Sequence, residues 1–147
     1  MSRLSKRPPD ALATIVADSW SAPFWEAAKL GHLTCTQCAD CGRFRMPPSP
    51  FCPHCRSQAL EWPVLPGTGT IYSFTVVERA VVPGTEDTIP YVVAVISLDG
   101  AIPARLISNI VDAPIDAIRI GERVTVFFDT MPDGAAVPRF RLAGVQR

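Results

Sequence analysis

Four cysteines fall in two Cys-x-x-Cys pairs, Cys38-Ala39-Asp40-Cys41 and Cys52-Pro53-His54-Cys55. Two such pairs set face to face present four thiolates to one metal ion. Zn²⁺ suits that donor set, in a closed tetrahedron with bonds of about 2.3 Å. Gly42 follows the first pair, where a residue with positive φ is needed and glycine adopts it cheaply. Pro53 pre-sets the turn inside the second pair. The competing chemistry is disulfide formation, and three features weigh against it. Residues 1–10 are polar and basic with no apolar stretch behind them, unlike a secretory leader. No apolar run reaches the length of about 18 residues that a membrane helix needs. A fifth cysteine, Cys35, would be left over in an oxidising compartment. The expectation is a cytoplasmic chain with structural zinc on Cys38, Cys41, Cys52 and Cys55. Cys35-Thr36-Gln37-Cys38 has the same spacing but no turn residue after it, so Cys35 reads as an inert, partly buried thiol.

The other residue types offer no second chemistry. The two histidines, His32 and His54, lie at a helix end and inside the second cysteine pair, with no evident nucleophile beside either. Gly-x-Ser-x-Gly, a P-loop and Gly-x-Gly-x-x-Gly are all missing. Gly67-Thr68-Gly69 precedes a predicted strand, so it offers pyrophosphate no helix N-terminus. A zinc closed by four thiolates has no position for a reactive water. A chain without catalysis of its own is expected. Fourteen basic residues balance 14 acidic ones, which argues against nucleic acid, where a basic footprint is usual.

The elements that must position the cysteines follow from pattern. With 147 residues, 48% hydrophobic, the chain can bury one medium core. Residues 1 to about 10 read as a flexible tail. The spacing of Leu12, Ile15 and Val16 permits a short helix after Asp10. A firmer helix runs from Phe24 to Leu30, with Ser21 as cap, Pro23 in the first turn and Gly31 closing it. Trp20, Phe24 and Trp25 on so short a helix exceed what its own packing needs, and aromatic residues dominate binding hot spots. These three are the candidate partner-binding residues, as anchors for a partner protein or an apolar ligand; packing on the chain's own domain is the ordinary reading beside it. Residues 35–62 form the cysteine ribbon. Beyond it, strands are expected at 70–77, 90–98, 102–107, 123–128 and 138–142, with Asp99-Gly100 as a hairpin turn and a short helical segment within 112–118. Five short strands in 63–147 suit a small barrel of the OB type. The fold class is mainly β: an N-terminal helix (1–34), a rubredoxin-like zinc ribbon (35–62) and a five-stranded OB-fold barrel (63–147).

The ordered set Phe24-Trp25-Glu26-Ala27, Gly31-His32-Leu33, Cys38-Ala39-Asp40-Cys41-Gly42-Arg43, Pro47-Pro48 and Phe51-Cys52-Pro53-His54-Cys55 carries a resemblance. Gly67 to Ser73, Pro90-Tyr91-Val92-Val93, Ile120 to Val124 and Pro138-Arg139-Phe140 extend it over residues 20 to 144. The chain resembles the acyl-CoA-associated proteins that join a helix, a zinc ribbon and an OB-fold, long catalogued as a domain of unknown function. It departs from their pattern in the extra Cys35 and in Arg56, which follows the second cysteine pair where glycine is common. The resemblance implies an accessory subunit in a hetero-oligomer, bound to a thiolase-fold enzyme (thiolase, acetyltransferase or steroid side-chain aldolase) or a MaoC-like hydratase. In such assemblies the partner carries the chemistry. A CoA thioester would be the implied ligand, and Arg43, Arg45, Arg79 and Arg105 are the candidates for its phosphates, since guanidinium pairs with phosphate bidentately. Solvated arginines are the ordinary reading of any one of them. The alternatives are a stand-alone acyl-CoA binder or thioesterase-like enzyme, and an OB-fold binding single-stranded nucleic acid.

Overall fold

In the computed structural model, residues 3–10 and 14–144 are described. The C-terminal strands alternate inward and outward and close on themselves. They are β4 (Thr68–Val77), β5 (Tyr91–Leu98), β6 (Arg105–Ile110), β7 (Arg123–Thr130) and β8 (Ala136–Leu142). Their order round the barrel is β4-β5-β6-β8-β7, and β4 closes it against β7. All pairings are antiparallel except β6 with β8, which touch through Ile110 and Phe140. Val92, Ala94, Ile96 and Leu98 of β5 fill the interior, with Ile71, Ile110, Val124 and Phe140. One strand serves two neighbours because β4 bends: its register with β5 shifts between Ile71 and Ser73, a bulge at Tyr72. Gly69 lies where β4 presses on β5. A Cβ there would stand 2.5 Å from the Ser97 carbonyl oxygen, so only glycine permits the approach.

The ribbon is a small sheet of β1 (Thr36–Cys38), β2 (Phe44–Arg45) and β3 (Leu60–Glu61), with β1 central. The helix α1 (Ala22–Lys29) packs on β8 and buries Phe24 and Ala28. Its C-terminus is a Schellman turn: the His32 N–H reaches the Ala27 carbonyl at 3.0 Å and that of Gly31 reaches Ala28 at 2.9 Å, with Gly31 at φ 81°.

Three expectations need correction. Residues 3–7 are a strap laid on the barrel, not a flexible tail. Ser5 is buried, its N–H donates to the Ala113 carbonyl (2.8 Å), and Asp112 donates back to the Ser5 carbonyl (2.8 Å). So short a polar segment carries no periodicity to announce it. The third strand starts at Arg105, not Ile102. Pro103 lacks a ladder donor, and the N–H groups of Ala101 and Ala104 bond within the 98–104 loop. The connection is thus longer than a two-residue Asp99-Gly100 hairpin. Ser21 occupies the cap position without a side-chain cap bond; Asp18 Oδ1 instead accepts the N–H groups of Trp20 and Ser21. The suggested helix after Asp10 begins outside the described residues, and 14–18 are not helical. Within 112–118 a single 3-10 turn forms at Ile115–Ala117.

Candidate metal centre and adjoining surfaces

The two cysteine pairs are built alike. In the first, the Cys38 N–H donates to the Arg43 carbonyl (2.8 Å) and that of Gly42 to the Cys38 carbonyl (2.9 Å). In the second, the Cys52 N–H donates to the Ser57 carbonyl (2.9 Å) and that of Arg56 to the Cys52 carbonyl (2.8 Å). Gly42 has φ 80° and Arg56 φ 67°, so the same left-handed residue closes each turn. The Ser57 hydroxyl donates to Asp40 and ties the two turns together. The first cysteine of each pair is buried and the second exposed.

The four Sγ atoms all lie within 4.8 Å of one another. Cys38 and Cys55 approach to 3.5 Å, and Cys41 and Cys52 to 3.6 Å. A tetrahedron of 2.3 Å bonds has edges of about 3.8 Å, so the donor set fits one zinc ion. The amide of Cys41 points at the Cys38 sulfur, 3.5 Å away, as expected where a backbone N–H steadies a thiolate. Bound there, zinc supplies cross-linking of a ribbon too small to bury a core. Cys35 stays outside this cluster. It is fully buried, and burial pushes its thiol up to about 11, so it is inert at neutral pH.

The three aromatic candidates separate. Phe24, at 7% exposure, belongs to the chain's own core, where it meets Trp25 edge to face at 5.0 Å. Trp20 and Trp25 are half-buried. Trp25 lines an apolar groove of 250 Å³ with Met46 and Pro47 of the ribbon and Leu106, Ile107 and Pro138 of the barrel. Ile107 in its wall is 71% exposed.

The four arginines do not form one cluster. Arg43 and Arg45 line a cavity of 460 Å³ between the ribbon and the barrel loop at Ile102 and Pro103. Arg105 stacks its guanidinium 3.8 Å over the exposed Tyr72 ring, and Arg79 lies exposed beyond the end of β4. Sequence reasoning missed Arg7 and Arg139. Both donate to Asp129 Oδ2 at 2.7 Å, which fastens the strap to β7 and β8. Burial opposes ionisation of Asp129, yet the two guanidinium bonds hold its carboxyl below the usual range.

These features define a class: a zinc ribbon joined to a closed OB barrel. Residues 25–61 match the ChsH2 rubredoxin-like zinc ribbon domain, and residues 62–129 match the ChsH2 C-terminal OB-fold domain. The chain belongs to this ChsH2-type, DUF35 family. It is 38% identical over 100 residues to a DUF35 domain-containing scaffold protein of Methanothermobacter thermautotrophicus, covering 66% of this chain and 71% of that one. It is 36% identical over 140 residues to a probable enoyl-CoA hydratase alpha subunit of Thermomonospora curvata, covering 95% of this chain but 43% of the relative. The chain thus spans less than half the length of that hydratase subunit. Among solved structures, the Ltp2-ChsH2(DUF35) aldolase superposes with a TM-score of 0.78 at 35% identity, covering 88% of this chain and 99% of that one. A DUF35-family protein of unknown function from Sulfolobus solfataricus shares the fold, with a TM-score of 0.63 at 17% identity, covering 86% of this chain and 87% of that one. Among the described residues no helix is long and apolar enough to cross a membrane.

Proposed function

We propose that this chain is a non-catalytic accessory subunit of an acyl-CoA-converting complex and docks on a thiolase-fold enzyme of the aldolase type. The observation that carries the reading is the apolar groove at Trp25. Its walls come from helix, ribbon and barrel, no Asp, Glu, Lys or Arg lines it, and Ile107 stands largely exposed beside it. Such a surface favours a protein partner, with Trp25 as its anchor. The aldolase type is favoured by the solved relative, the Ltp2-ChsH2(DUF35) aldolase, in which the matched chain is covered to 99%. The names of the relatives support acyl-CoA chemistry in the partner more broadly, hydratases included. Zinc in this reading is structural, and the acyl-CoA path is shaped by the surface this subunit adds. A MaoC-like hydratase is the alternative partner, and a stand-alone acyl-CoA binder or thioesterase-like enzyme the alternative function.

The test is capture of partners by the tagged chain from its own cell extract, identified by mass spectrometry. A stoichiometric thiolase-fold enzyme is expected. Trp25→Ala should weaken that capture by at least about tenfold, the loss of one hot-spot aromatic, while the thermal midpoint changes little. A chain recovered alone and monomeric would overturn the reading in favour of the stand-alone binder. Recovery of a hydratase would correct the partner.

A further inference from the structure

In an antiparallel ladder the bonded pairs alternate, so every second residue of a strand turns its N–H and C=O away from that neighbour. The phase between β5 and β6 is fixed by the Leu98 N–H, which donates to the Ala104 carbonyl at 3.2 Å. The bonded pairs then continue at Ile96 with Leu106, Ala94 with Ser108 and Val92 with Ile110. Arg105, Ile107 and Asn109 therefore direct their backbone groups to the other edge of β6. Val111 continues that set and finds a partner, its N–H donating to the Phe140 carbonyl at 2.9 Å. Among the described residues, Ile110 with Phe140 is the one pair that joins β6 to β8. The ladder stops there because the next residue of β8 in phase is Pro138, which has no N–H to give. No strand pairs with Arg105 or Ile107 on that edge.

The apolar groove at Trp25 lies along this open edge. Leu106 stands opposite the fully buried Ile96 and so faces the barrel interior, whereas Ile107 faces outward and is 71% exposed. A groove lined by both neighbours follows the strand's edge rather than either of its faces. Val137 and Pro138 of β8 line it across the opening. Unpaired edge donors and acceptors beside an apolar slot are the chemistry of strand addition: main-chain bonds hold the added segment, and the slot takes one of its alternate side chains. A helix, whose backbone groups are bonded within itself, could not use them. We propose that β6 receives, along Arg105 to Ile107, an extended segment of a partner protein as an added strand, with an uncharged apolar side chain of that segment in the Trp25 groove, where no Asp, Glu, Lys or Arg lies. That the segment belongs to the acyl-CoA enzyme rests on the function proposed above; the open edge rests on the β5–β6 register and on Pro138.

The experiment follows the backbone amides of the zinc-loaded full chain by NMR. In the free chain the Ile107 amide should exchange with solvent at least about a hundredfold faster than those of Leu106 and Ser108, which bond to β5. The probe is a capped Thr-Val-Thr-Val-Thr peptide, set against the same peptide with its edge-facing amides N-methylated. A saturable shift of the Arg105 and Ile107 amides is expected with the first, and binding weaker by at least about tenfold with the second, which lacks the ladder donors. Ile107→Pro removes an N–H that β5 does not use, so the chain should fold and lose about tenfold in peptide binding, whereas Ile107→Val keeps the N–H and the binding. Should Ile107→Pro fail to fold, the wild-type amides and the N-methyl comparison still decide. In the complex with the captured enzyme, the Ile107 amide should become protected. An Ile107 amide already protected in the free chain, equal binding of the two peptides, or no saturable shift with either overturns strand addition, and so does an Ile107 amide that stays unprotected in the complex. Capture of the enzyme is scored separately, so an empty capture sinks the accessory-subunit reading while the peptide titration still decides the edge.

Discussion

Arg56→Gly should strengthen zinc binding, although Arg56 is not a ligand. The reason lies in the likeness of the two cysteine turns. Arg56 and Gly42 occupy equivalent places, each donating its N–H to the carbonyl of the first cysteine, at 2.8 and 2.9 Å. Arg56 holds φ 67° and Gly42 φ 80°. The left-handed conformation costs an L-residue about 1–2 kcal/mol. Glycine avoids that cost but gives back about 0.5–1 kcal/mol in chain entropy. The net gain is about 0.5–1 kcal/mol. Because the ribbon folds around its metal, that gain passes into zinc affinity as about two- to fivefold. Gly42→Ala is the mirror experiment. A Cβ at Gly42 meets nothing within 4 Å, so the substitution carries conformational cost alone and should weaken zinc by a similar factor. The assay is competition with a chromogenic chelator, run on the wild type, both single variants and the double variant. The two effects should cancel in the double variant to within about 0.5 kcal/mol, given their separate turns. Unchanged or weaker zinc binding in Arg56→Gly would refute the argument, as would a harmless Gly42→Ala.

Three further outcomes follow from the structure. Asp99 accepts hydrogen bonds from Arg123 and Thr68, and they hold its carboxyl down at about 2. Its folded pKa lies below the unfolded value of about 3.9, so its contribution is complete above about pH 4 and disappears as pH falls through about 2. The stability gap between wild type and Asp99→Asn, measured by denaturant titration, should therefore close across that window; a gap independent of pH would contradict the pairing. Gly69→Ala should cost about 2–3 kcal/mol, because the added methyl would stand 2.5 Å from the Ser97 oxygen and 2.7 Å from Ile96 Cγ2. Denaturant midpoints check this, and a neutral result would mean that β4 and β5 are not so closely apposed. Chelation of the zinc-loaded chain should release the cluster's four thiols to a thiol reagent, while Cys35 reacts only after denaturant is added. A fifth fast thiol on chelation alone would show that Cys35 is not sealed in the core.

The metal centre was legible because its chemistry is local. Two matched cysteine pairs and Gly42 specify two turns before any tertiary contact forms, and only the choice between Cys35 and Cys41 needed a turn argument. The barrel strands were legible from alternation wherever the chain is paired on both sides, as in β5. What escaped is set by contacts far apart in sequence. The strap has no pattern of its own, and its hydrogen bonds run from Ser5 to Asp112 and Ala113. The start of β6 depends on how the 98–104 loop folds its own amides inward. Arg45 is the sharpest case. An arginine in a polar ribbon is expected in solvent, yet the fold leaves Arg45 only 9% exposed. Phe24 and Trp25 are neighbours in sequence and both line the groove, but packing of the helix on β8 buries Phe24 and leaves Trp25 half-buried.

The three parts share one interior, which bears on what a structural zinc does for the surface they build together. Phe24 of the helix, Leu33 and Cys35 at the ribbon's base and Leu65 at the barrel's entry belong to the same buried cluster as the barrel's inner residues. The Leu65 N–H donates to the Leu33 carbonyl at 2.8 Å, and Thr34 bridges to Val64, so ribbon and barrel are stitched backbone to backbone. The apolar groove at Trp25 takes one wall from each part. Met46 and Pro47, its ribbon wall, lie in the segment between the two cysteine pairs, whose ends a bound zinc would cross-link. The metal would thus add a cross-link to the ribbon wall of that surface, beside the packing of Phe44 and Met46 on the shared core. A ribbon closed by four thiolates has no open position at its zinc for catalysis, and the rigidity it confers on the Trp25 groove is what the proposed docking would require.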